Sequence, residues 1–386
     1  MNHNILNKKI GILGGGQLGR MLYLAGANWN LDISVLDSAN CPAAGLCKTF
    51  VEGDIKDYDN VLSFGRTVDV LTIEIEHVNI DALKQLELEG IIVFPRPEIL
   101  EVIKDKNLQK QFYKDNEIAS SKFRFYASQN DLLEDINNDK ENNLNFPFVQ
   151  KTCMGGYDGK GVVVIKNKDD LINLLDCECI VEEMVDIQKE LAVIIARNES
   201  SEIKVYPTSE MEFDSKSNLV KLVFTPANID SKTELECQKV ALEIVNKLDY
   251  VGILAVELFL TKDGRILVNE IAPRTHNSGH HTIEGSATSQ FEQQLKAILN
   301  LPLGSTEFRK HSAMVNLVGE EGYEGKVKVK GLEKCLELSE FHLHLYGKMT
   351  TKPNRKMGHA TVLANSFDEM QQKVDTVIKG LKIISE

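Results

Sequence analysis

The chain has 386 residues, of which 42% are hydrophobic and 26% charged, a composition typical of a globular protein with two or three domains. It contains no apolar run of the roughly 20 residues that cross a membrane, and its first residues do not resemble a secretory signal. Its seven cysteines include no Cys-x-x-Cys motif, so we expect reduced thiols in the cytoplasm. The formal net charge of −13 argues against a nucleic-acid binder, and a phosphate-bearing substrate would need local clusters of cations.

The chain opens with a strand–helix–strand pattern, in which predicted strands 8–13 and 33–36 flank a helix that extends to about residue 28. The first strand leads into Gly14-Gly15-Gly16-Gln17-Leu18-Gly19, and Asp37 follows the second strand. This spacing matches the dinucleotide-binding fingerprint, whose glycines allow a close approach to a pyrophosphate. A nicotinamide-dependent oxidoreductase therefore stays open, beside a doubly wound domain whose glycine turn binds another ligand or none.

Acidic residues stand at the end of the next predicted strand, 70–75, where Glu74 and Glu76 precede His77. Open α/β sheets bind their ligands at the carboxyl ends of strands. The alternative is a solvated strand end. A strand at 91–94 then stops at Pro95-Arg96-Pro97, which predicts a domain boundary.

A glycine-rich segment, residues 151–161, reads Lys-Thr-Cys-Met-Gly-Gly-Tyr-Asp-Gly-Lys-Gly between two predicted strands. Four glycines in seven residues let backbone N–H groups approach an anion, and a lysine stands near each end. The pattern predicts a hairpin with a flexible lid over a nucleoside triphosphate, or else a mobile surface turn. It is not a P-loop, because the Gly-x-x-x-x-Gly-Lys-Ser/Thr motif is missing.

The rest of the chain mixes predicted helices and strands, with a new unit expected near His311. One or two helices are predicted at residues 98–116, and further helices within 131–145 and at 234–248, 291–299 and 367–379. The strands are predicted at residues 180–184, 190–196, 251–260, 266–271, 313–318, 342–346 and 360–363.

Strands 251–260 and 266–271 are separated by a segment that contains Asp263-Gly264, a preferred two-residue hairpin turn. With that turn, Glu257 and Glu270 lie directly opposite each other, with Cβ atoms about 4.5–5.5 Å apart. Two carboxylates in an apolar hairpin repel each other and cost desolvation free energy. A divalent cation removes both penalties, and oxygen ligands suit Mg²⁺. The alternatives are a shifted register or an exposed glutamate.

Cations cluster in two later segments. Arg274 and three histidines lie within residues 272–281, where an intervening serine and glycine argue against a helix and no cysteine is near. We therefore favour a loop that presents Arg274 and His276 to an anion over a zinc site. Residues 348–359 hold Lys348, Lys352, Arg355 and Lys356 without any acidic residue, which predicts a phosphate clamp or a solvated loop.

In combination, the glycine lid, the glutamate pair, the Asn269 to His280 stretch and the basic segment resemble the N5-carboxyaminoimidazole ribonucleotide synthetase family of ATP-grasp ligases. The resemblance extends from Gly14 to Leu363. It implies an α/β and α+β architecture, the ATP-grasp fold: a Rossmann-like N-terminal domain (1–97), an ATP-grasp domain with the lid (98–304) and a small C-terminal domain (305–386). It also implies a homodimer, and a ribonucleotide in place of a nicotinamide cofactor at the N-terminal glycines.

The resemblance further implies which residues bind each substrate. ATP would be bound by Lys106, Lys151, Gly156, Tyr157, Asp158, Gly159, Lys160, Gly161, Glu182, Glu183, Met184, Val185, Glu190, Asn269 and Glu270. Within this set, Glu182, Met184 and Val185 would hold the adenine edge mainly through backbone groups, and Glu190 would bind the ribose hydroxyls. Mg²⁺ would be held by Glu257 and Glu270. The aminoimidazole ribonucleotide would be contacted by Gln17, Leu18, Glu76, Asn277, Lys348, Arg355 and Lys356.

Three residues depart from the family pattern. Lys106 stands where members often carry arginine, which keeps the charge but not the planar fork. Cys153 stands where arginine is common in the lid, and Phe213 falls where some members have a histidine near the nucleotide. Asn269 also conflicts with the predicted hairpin, since strand alternation turns it away from the face of Glu270. A local bulge would resolve that conflict.

The implied reaction is the ATP- and bicarbonate-dependent carboxylation of 5-aminoimidazole ribonucleotide, with Arg274 and His276 as the catalytic candidates that position the bicarbonate-derived anion. A similar enzyme, the formate-dependent glycinamide ribonucleotide transformylase, is the nearest alternative. The tyrosine-containing lid and the Asn277-Ser278-Gly279-His280 sequence favour the carboxylating enzyme. More distant alternatives are the oxidoreductase and a catalytically silent nucleotide-binding module.

Overall fold

A computed structural model describes residues 7–138, 144–156 and 161–386 of the chain. The N-terminal region is a five-stranded parallel sheet of order β3-β2-β1-β4-β5 with three helices. Its strands are β1 (Lys9–Leu13), β2 (Asp32–Asp37), β3 (Thr49–Glu52), β4 (Val70–Ile73) and β5 (Ile92–Val93), and its helices are α1 (Gln17–Ala27), α2 (Tyr58–Gly65) and α3 (Ile80–Leu88). The predicted doubly wound start is confirmed.

Two helices, α4 (Pro97–Lys104) and α5 (Lys106–Asp115), follow the proline-rich boundary. The chain is extended at Asp105, whose carboxylate accepts hydrogen bonds from the N–H groups of Asn107 and Leu108. This N-cap starts α5 in a new direction, so the stretch predicted as one or two helices is two. Helix α6 (Gln129–Asn137) comes next.

A four-stranded antiparallel sheet, of order β6-β9-β7-β8, carries the glycine-rich segment. Its strands are β6 (Phe123–Tyr126), β7 (Phe148–Thr152), β8 (Val162–Ile165) and β9 (Cys179–Glu183). Strands β7 and β8 pair as the predicted hairpin, and the N–H of Thr152 donates to the carbonyl of Gly161. The predicted ATP contacts Tyr157, Asp158, Gly159 and Lys160 lie outside the described residues.

The largest sheet has nine strands and contains the Glu257–Glu270 hairpin. From the centre of the chain come β10 (Ile187–Arg197), β11 (Ile203–Val205), β12 (Ser209–Phe213), β13 (Val220–Thr225), β14 (Gly252–Thr261) and β15 (Ile266–Ala272), with the helices α7 (Ser231–Lys247), α8 (Thr282–Gly285) and α9 (Gln290–Ile298). The C-terminal strands are β16 (His311–Val318), β17 (Gly325–Lys330), β18 (Phe341–Leu345), β19 (Thr350–Thr351), β20 (Lys356–Ala364) and β21 (Lys382–Ser385), with helices α10 (Leu332–Leu336) and α11 (Phe367–Gly380).

Three of these C-terminal strands continue the central sheet, whose order is β15-β14-β10-β12-β13-β16-β20-β18, with β11 on β10. Strand β16 is antiparallel to β13, so the sheet crosses the predicted boundary at residue 304 without a break. The basic segment 348–359, predicted as a loop, contains β19 and the first residues of β20, so Lys356 lies in a strand. The remaining strands β17, β19 and β21 form a small separate sheet.

Hydrophobic cores lie on both sides of the N-terminal sheet. One core unites Ile10 and Ile12 of β1 with Phe291 and Leu295 of α9, so a helix from the central region closes the N-terminal layer. The other core joins β4 to α2 and α3. In the described part of the chain, no helix combines the length and apolar character needed to cross a bilayer.

Candidate active site

The hairpin β14–β15 brings the two predicted metal ligands together: Glu257 and Glu270 are direct cross-strand partners. The connection, however, is not the predicted two-residue turn. The N–H of Thr261 donates to the carbonyl of Arg265 at 2.9 Å, which leaves a three-residue loop whose last residue, Gly264, has a φ of 84°. A glycine in the left-handed conformation is what a three-residue hairpin loop requires.

That loop shifts the nearby pairs by one residue, so Leu258 pairs with Val268 in place of the expected Asn269. A β-bulge between this pair and Glu257 restores the predicted register at the glutamates. The extra residue of the bulge is Asn269. The sequence-based pairing of Glu257 with Glu270 is therefore confirmed, although the turn used to derive it is wrong.

The two carboxylates have different surroundings. An ion pair joins the Lys106 Nζ to the Glu270 Oε2 at 2.7 Å, and this lysine lowers the pKa of Glu270. Glu257 accepts a weaker hydrogen bond, at 3.3 Å, from the Asn269 side chain, and the His276 Nε2 lies 3.6 Å from it. Burial, together with the charges of Glu270 and Glu190, raises the pKa of Glu257.

This donor set fits Mg²⁺. In the described part of the chain, no three His, Cys, Asp or Glu side chains are arranged to bind a metal, so the protein offers two carboxylates. Mg²⁺ is usually bound by one or two carboxylates together with substrate phosphates. Burial and the neighbouring carboxylates raise the pKa of Glu257, so a cation bound beside it would stabilise its ionised form.

Lys151 extends from β7 towards the same hairpin. Its Nζ lies 2.8 Å from the Glu182 Oε2 and donates to the Asn269 Oδ1 at 3.0 Å. The bulge thus turns Asn269 into a contact between the two sheets. The Glu182 carboxylate is 4% exposed, and its other oxygen pairs with Lys110, a residue that the sequence analysis missed. Glu182 therefore contributes a buried side chain as well as the predicted backbone edge.

The other residues of the predicted adenine edge lie closer to the surface than Glu182. Glu183 and Met184 are exposed, and Val185 is half-buried. Glu190, on the neighbouring strand β10, is half-buried, and its burial raises its pKa to about 7. Cys153, one of the residues that depart from the family pattern, is buried. Its carbonyl accepts a hydrogen bond from the N–H of Lys106, which attaches the end of β7 to α5.

Arg274 connects the central region to the N-terminal sheet. Its Nε lies 2.9 Å from the Glu76 Oε1, and both side chains are largely buried. The sequence analysis gave these residues to different ligands, bicarbonate and ribonucleotide. Their contact means that the two predicted subsites adjoin. His276 hydrogen-bonds through Nδ1 to the Ser278 hydroxyl, which directs its Nε2 towards Glu257.

The N-terminal glycine turn is occupied by carboxylates of the protein itself. The N–H of Gly19 donates to Glu74 at 2.6 Å, and the N–H of Gly15 donates to Asp37 at 2.6 Å. A pyrophosphate would have to displace these half-buried carboxylates. This geometry disfavours the dinucleotide interpretation of the fingerprint.

Residues far apart in the chain meet beside this turn. The Lys348 Nζ lies 3.4 Å from the Gln17 Oε1 and donates to the carbonyl of Lys356 at 2.6 Å. Arg355 is half-buried and donates to the carbonyl of Thr350 at 2.8 Å. The predicted ribonucleotide contacts from both ends of the chain, Gln17 and the basic segment, therefore form one cluster.

Asn277 exchanges two side-chain hydrogen bonds of 2.9 Å with Asn316 on β16, another residue that the sequence analysis missed. No local pattern marks Asn316. Lys110 could have been found, because it follows Lys106 by four residues and so lies on the same face of α5. Leu18 is half-buried at the start of α1.

Comparisons with known proteins find matches along nearly the whole chain. Family models match at residues 7–104 (ribonucleotide synthetase preATP-grasp domain), 111–291 (ATP-grasp domain) and 312–373 (phosphoribosylaminoimidazole carboxylase C-terminal domain). The N5-carboxyaminoimidazole ribonucleotide synthase of Bacillus subtilis is 34% identical over 372 residues, which cover 95% of this chain and 94% of the relative. The chain belongs to the N5-carboxyaminoimidazole ribonucleotide synthetase family.

Solved structures agree. The synthetase from Thermotoga maritima is 43% identical, with a TM-score of 0.90 over 98% of this chain and 100% of that one. The Aspergillus clavatus enzyme in complex with ADP and 5-aminoimidazole ribonucleotide is 33% identical, with a TM-score of 0.87 over 97% and 98%. Plant and yeast relatives named phosphoribosylaminoimidazole carboxylase are longer, and this chain spans about two thirds of their length.

Family membership confirms the predicted ATP-grasp fold and the predicted function, an ATP-dependent ligase of purine biosynthesis that carboxylates aminoimidazole ribonucleotide. It sets aside the transformylase, the nicotinamide oxidoreductase and the silent module. The domain boundaries at residues 97 and 304 and the role of each site residue stay predictions.

Proposed function

We propose that the cleft between the four-stranded and nine-stranded sheets binds Mg-ATP, and that the cluster around Gln17 and the basic segment binds the ribonucleotide. The observation that carries this proposal is the convergence of Lys106 and Lys151 on the hairpin of Glu257 and Glu270. Two cations and two carboxylates at one cleft suit a metal–triphosphate complex, which carries charges of both signs.

Within the ATP site, Lys151 and Lys106 bind phosphate oxygens, and Glu190 binds the ribose. Glu257 and Glu270 hold Mg²⁺, which when bound neutralises the charge that develops on the transferred phosphoryl group. Lys106 then exchanges its ion pair with Glu270 for a contact with a phosphate. Gly156 and Gly161, at the two ends of the predicted lid, belong to the same proposed ATP site.

The chemistry runs in two steps. A bicarbonate oxygen attacks the γ-phosphorus of ATP, the bond to the β–γ bridging oxygen breaks, and carboxyphosphate and ADP form. The exocyclic amine of the ribonucleotide then attacks the carbonyl carbon of carboxyphosphate, phosphate leaves, and the amine loses a proton. Arg274 and His276 hold the bicarbonate-derived anion, and the Nε2 of His276 accepts the proton.

The substrate assignment is tested by following ADP release. The full rate should require both bicarbonate and aminoimidazole ribonucleotide, and NAD should neither bind nor turn over. Equal stimulation by formate and glycinamide ribonucleotide would contradict the proposal.

Two variants separate the anion sites. Arg355→Ala should raise the KM for the ribonucleotide by about one to two orders of magnitude, because a charge-assisted hydrogen bond to a phosphate contributes about 1.5–3 kcal/mol. It should leave the KM for ATP nearly unchanged, and Lys151→Ala should show the reverse pattern. An Arg355→Ala enzyme that loses ATP affinity and keeps ribonucleotide affinity would mean that the two sites are interchanged.

A cytoplasmic location and a homodimeric state are also proposals, supported by the cysteine usage and by the family resemblance. Light scattering of the purified protein across a dilution series measures the oligomeric state. A constant monomer mass would contradict the dimer.

A further inference from the structure

Lys110 is a buried cation that the proposed chemistry does not use. It lies on α5 with 3% of its side chain exposed, and its Nζ is 2.7 Å from the Glu182 Oε1 and 2.8 Å from the Ser121 hydroxyl. A buried ammonium group is costly unless it is paired and hydrogen-bonded, and Lys110 satisfies both conditions.

Glu182 divides its two oxygens between two lysines. Its Oε1 pairs with Lys110 and its Oε2 pairs with Lys151, so each oxygen has its own cation. With two lysines and one glutamate charged, the triad carries a net charge of +1. Lys151 is the more accessible of the two lysines, at 13% exposure against 3%, and it is the one that also contacts Asn269 at the hairpin.

The balance of charge depends on Lys110. Without it, Glu182 would neutralise Lys151 completely, and the second carboxylate oxygen would be left buried beside the phosphates. An uncompensated buried charge is strongly unfavourable, and a carboxylate near a triphosphate repels it. With Lys110 present, one positive charge remains for the nucleotide.

Helix α5 holds this lysine against both sheets. Lys106 and Lys110 are one helical turn apart and pair with carboxylates on different sheets, Glu270 on β15 and Glu182 on β9. Between them, the Gln109 Oε1 accepts hydrogen bonds from the N–H of Ile271 and the hydroxyl of Tyr113. The helix thus fixes the position of Lys110 relative to the hairpin that carries the metal ligands.

We propose that Lys110 is a positioning residue for ATP, which compensates the charge of Glu182 so that Lys151 presents a net positive charge to the phosphates. The inference rests on the proposed assignment of Lys151 to ATP. It predicts that Lys110 acts on nucleotide affinity through charge, without touching the nucleotide.

The first test removes the charge and keeps an unbranched side chain only one atom shorter. Lys110→Met should raise the KM for ATP by about tenfold or more, the effect of losing one charge-assisted contact, and should leave the KM for the ribonucleotide unchanged. Lys110→Arg keeps the charge and should stay close to the parent enzyme. Lys114→Met, an exposed lysine on the next turn of α5, is the matched control and should change neither KM.

The second test separates charge balance from structural support. Lys110→Met combined with Glu182→Gln removes both charges and returns the net charge to +1, so the double variant should bind ATP more tightly than Lys110→Met alone. A purely structural role predicts the opposite, a double variant at least as impaired as the single one. Should Lys110→Met fail to fold, Lys110→Gln, whose amide can still donate to Ser121 and Glu182, takes its place in both tests.

Lys151→Ala, assayed in parallel, separates this inference from its premise. If Lys151→Ala leaves the KM for ATP unchanged, the assignment of Lys151 is wrong and the role of Lys110 is lost with it. If Lys151→Ala raises that KM but a folded Lys110→Met does not, or if the double variant is no better than the single, only the role of Lys110 is overturned.

Discussion

At the scale of single residues, the two glutamates of the hairpin are not equivalent. Glu270 has a counter-ion in Lys106, and solvent reaches 42% of its side chain. Glu257 is 13% exposed, lacks a comparable ion pair with a lysine or arginine among the described residues, and has a raised pKa because of burial and neighbouring carboxylates. The sequence suggested a symmetric pair stabilised by a metal ion, whereas the protein itself supplies a counter-ion to one member.

This asymmetry predicts different stabilities for the two glutamine variants. Glu257→Gln removes a buried acid without a strong partner, so the free energy of unfolding should stay the same or rise. Glu270→Gln leaves Lys106 unpaired and should lower the free energy of unfolding by about 1 kcal/mol, a modest value because solvent screens the exposed side of the pair. Urea unfolding without nucleotide measures both effects.

Both variants should nevertheless lose activity, with kcat reduced at least about a hundredfold, since phosphoryl transfer depends on the metal that both residues hold. Lys106→Met combined with Glu270→Gln is the control for stability, because it removes both charges and should recover the lost free energy. Near-full activity of either glutamine variant at low Mg²⁺ would contradict the metal assignment.

At the scale of secondary-structure elements, the hairpin shows how a correct pairing can follow from an incorrect turn. The loop takes one extra residue, Lys262, from the β14 side, and the bulge takes one, Asn269, from β15, so the two departures cancel at the glutamates. The bulge also has a consequence for the site, because it directs Asn269 towards both Lys151 and Glu257. Bulges beside active sites often redirect a side chain in this way.

The loop depends on the left-handed conformation of Gly264, which has open space around it. Gly264→Ala should therefore lower the free energy of unfolding by about 1–2 kcal/mol through backbone strain alone. Gly45→Ala is the matched control: the space around Gly45 is equally open and its φ is not positive, so its stability should hardly change. Equal urea midpoints for the two variants would contradict the strained loop.

At the scale of the whole molecule, a stack of imidazoles joins the central region to the C-terminal strands. The ring of His359 on β20 lies 4.4 Å from that of His344 and 4.8 Å from that of His280, which follows β15. Tyr346 hydrogen-bonds to His359, and Glu284 hydrogen-bonds to His344. Burial lowers the pKa of both His280 and His359 well below 6.5. For His280, the nearby side chains of His359, His276 and Lys356 lower the pKa further.

These shifts predict how stability depends on pH. Below pH 6.5 the unfolded chain protonates His280 and His359 while the folded protein keeps both neutral, so folding loses stability as pH falls. Carboxylates with a raised pKa, such as Glu190 at about 7, act in the opposite direction because they bind a proton in the folded state. Comparing the pH dependence of the parent protein with that of a variant lacking one histidine separates the contribution of that histidine from that of the carboxylates.

His359→Asn removes one such group. Between about pH 5 and 6.5 the free energy of unfolding of the parent protein should fall more steeply than that of the variant, by about 1.4 kcal/mol per pH unit. Urea unfolding at a series of pH values gives the two slopes. The free energy of unfolding of each protein is expressed relative to its own value at about pH 8, which removes the pH-independent destabilisation caused by the substitution. Parallel curves would mean that His359 is protonated in the folded protein.

The sequence by itself determined what depends on neighbours in the chain. The period of apolar residues marked most of the strands and helices, glycine spacing marked the lid and the N-terminal turn, and a short hairpin connection placed Glu257 opposite Glu270. The resemblance to a family of ATP-grasp ligases rests on the same local motifs, which is why it could be stated before the fold was known.

Only the tertiary structure decided which distant groups share a site. Lys110 meets Glu182, Arg274 meets Glu76, and Lys348 meets Gln17 across 331 residues, and the C-terminal strands join the central sheet. Such contacts depend on how helices and sheets pack in three dimensions, and a pattern of period 2 or 3.6 says which face is buried but not which surface covers it. Charge compensation between buried groups is therefore visible only in the folded protein.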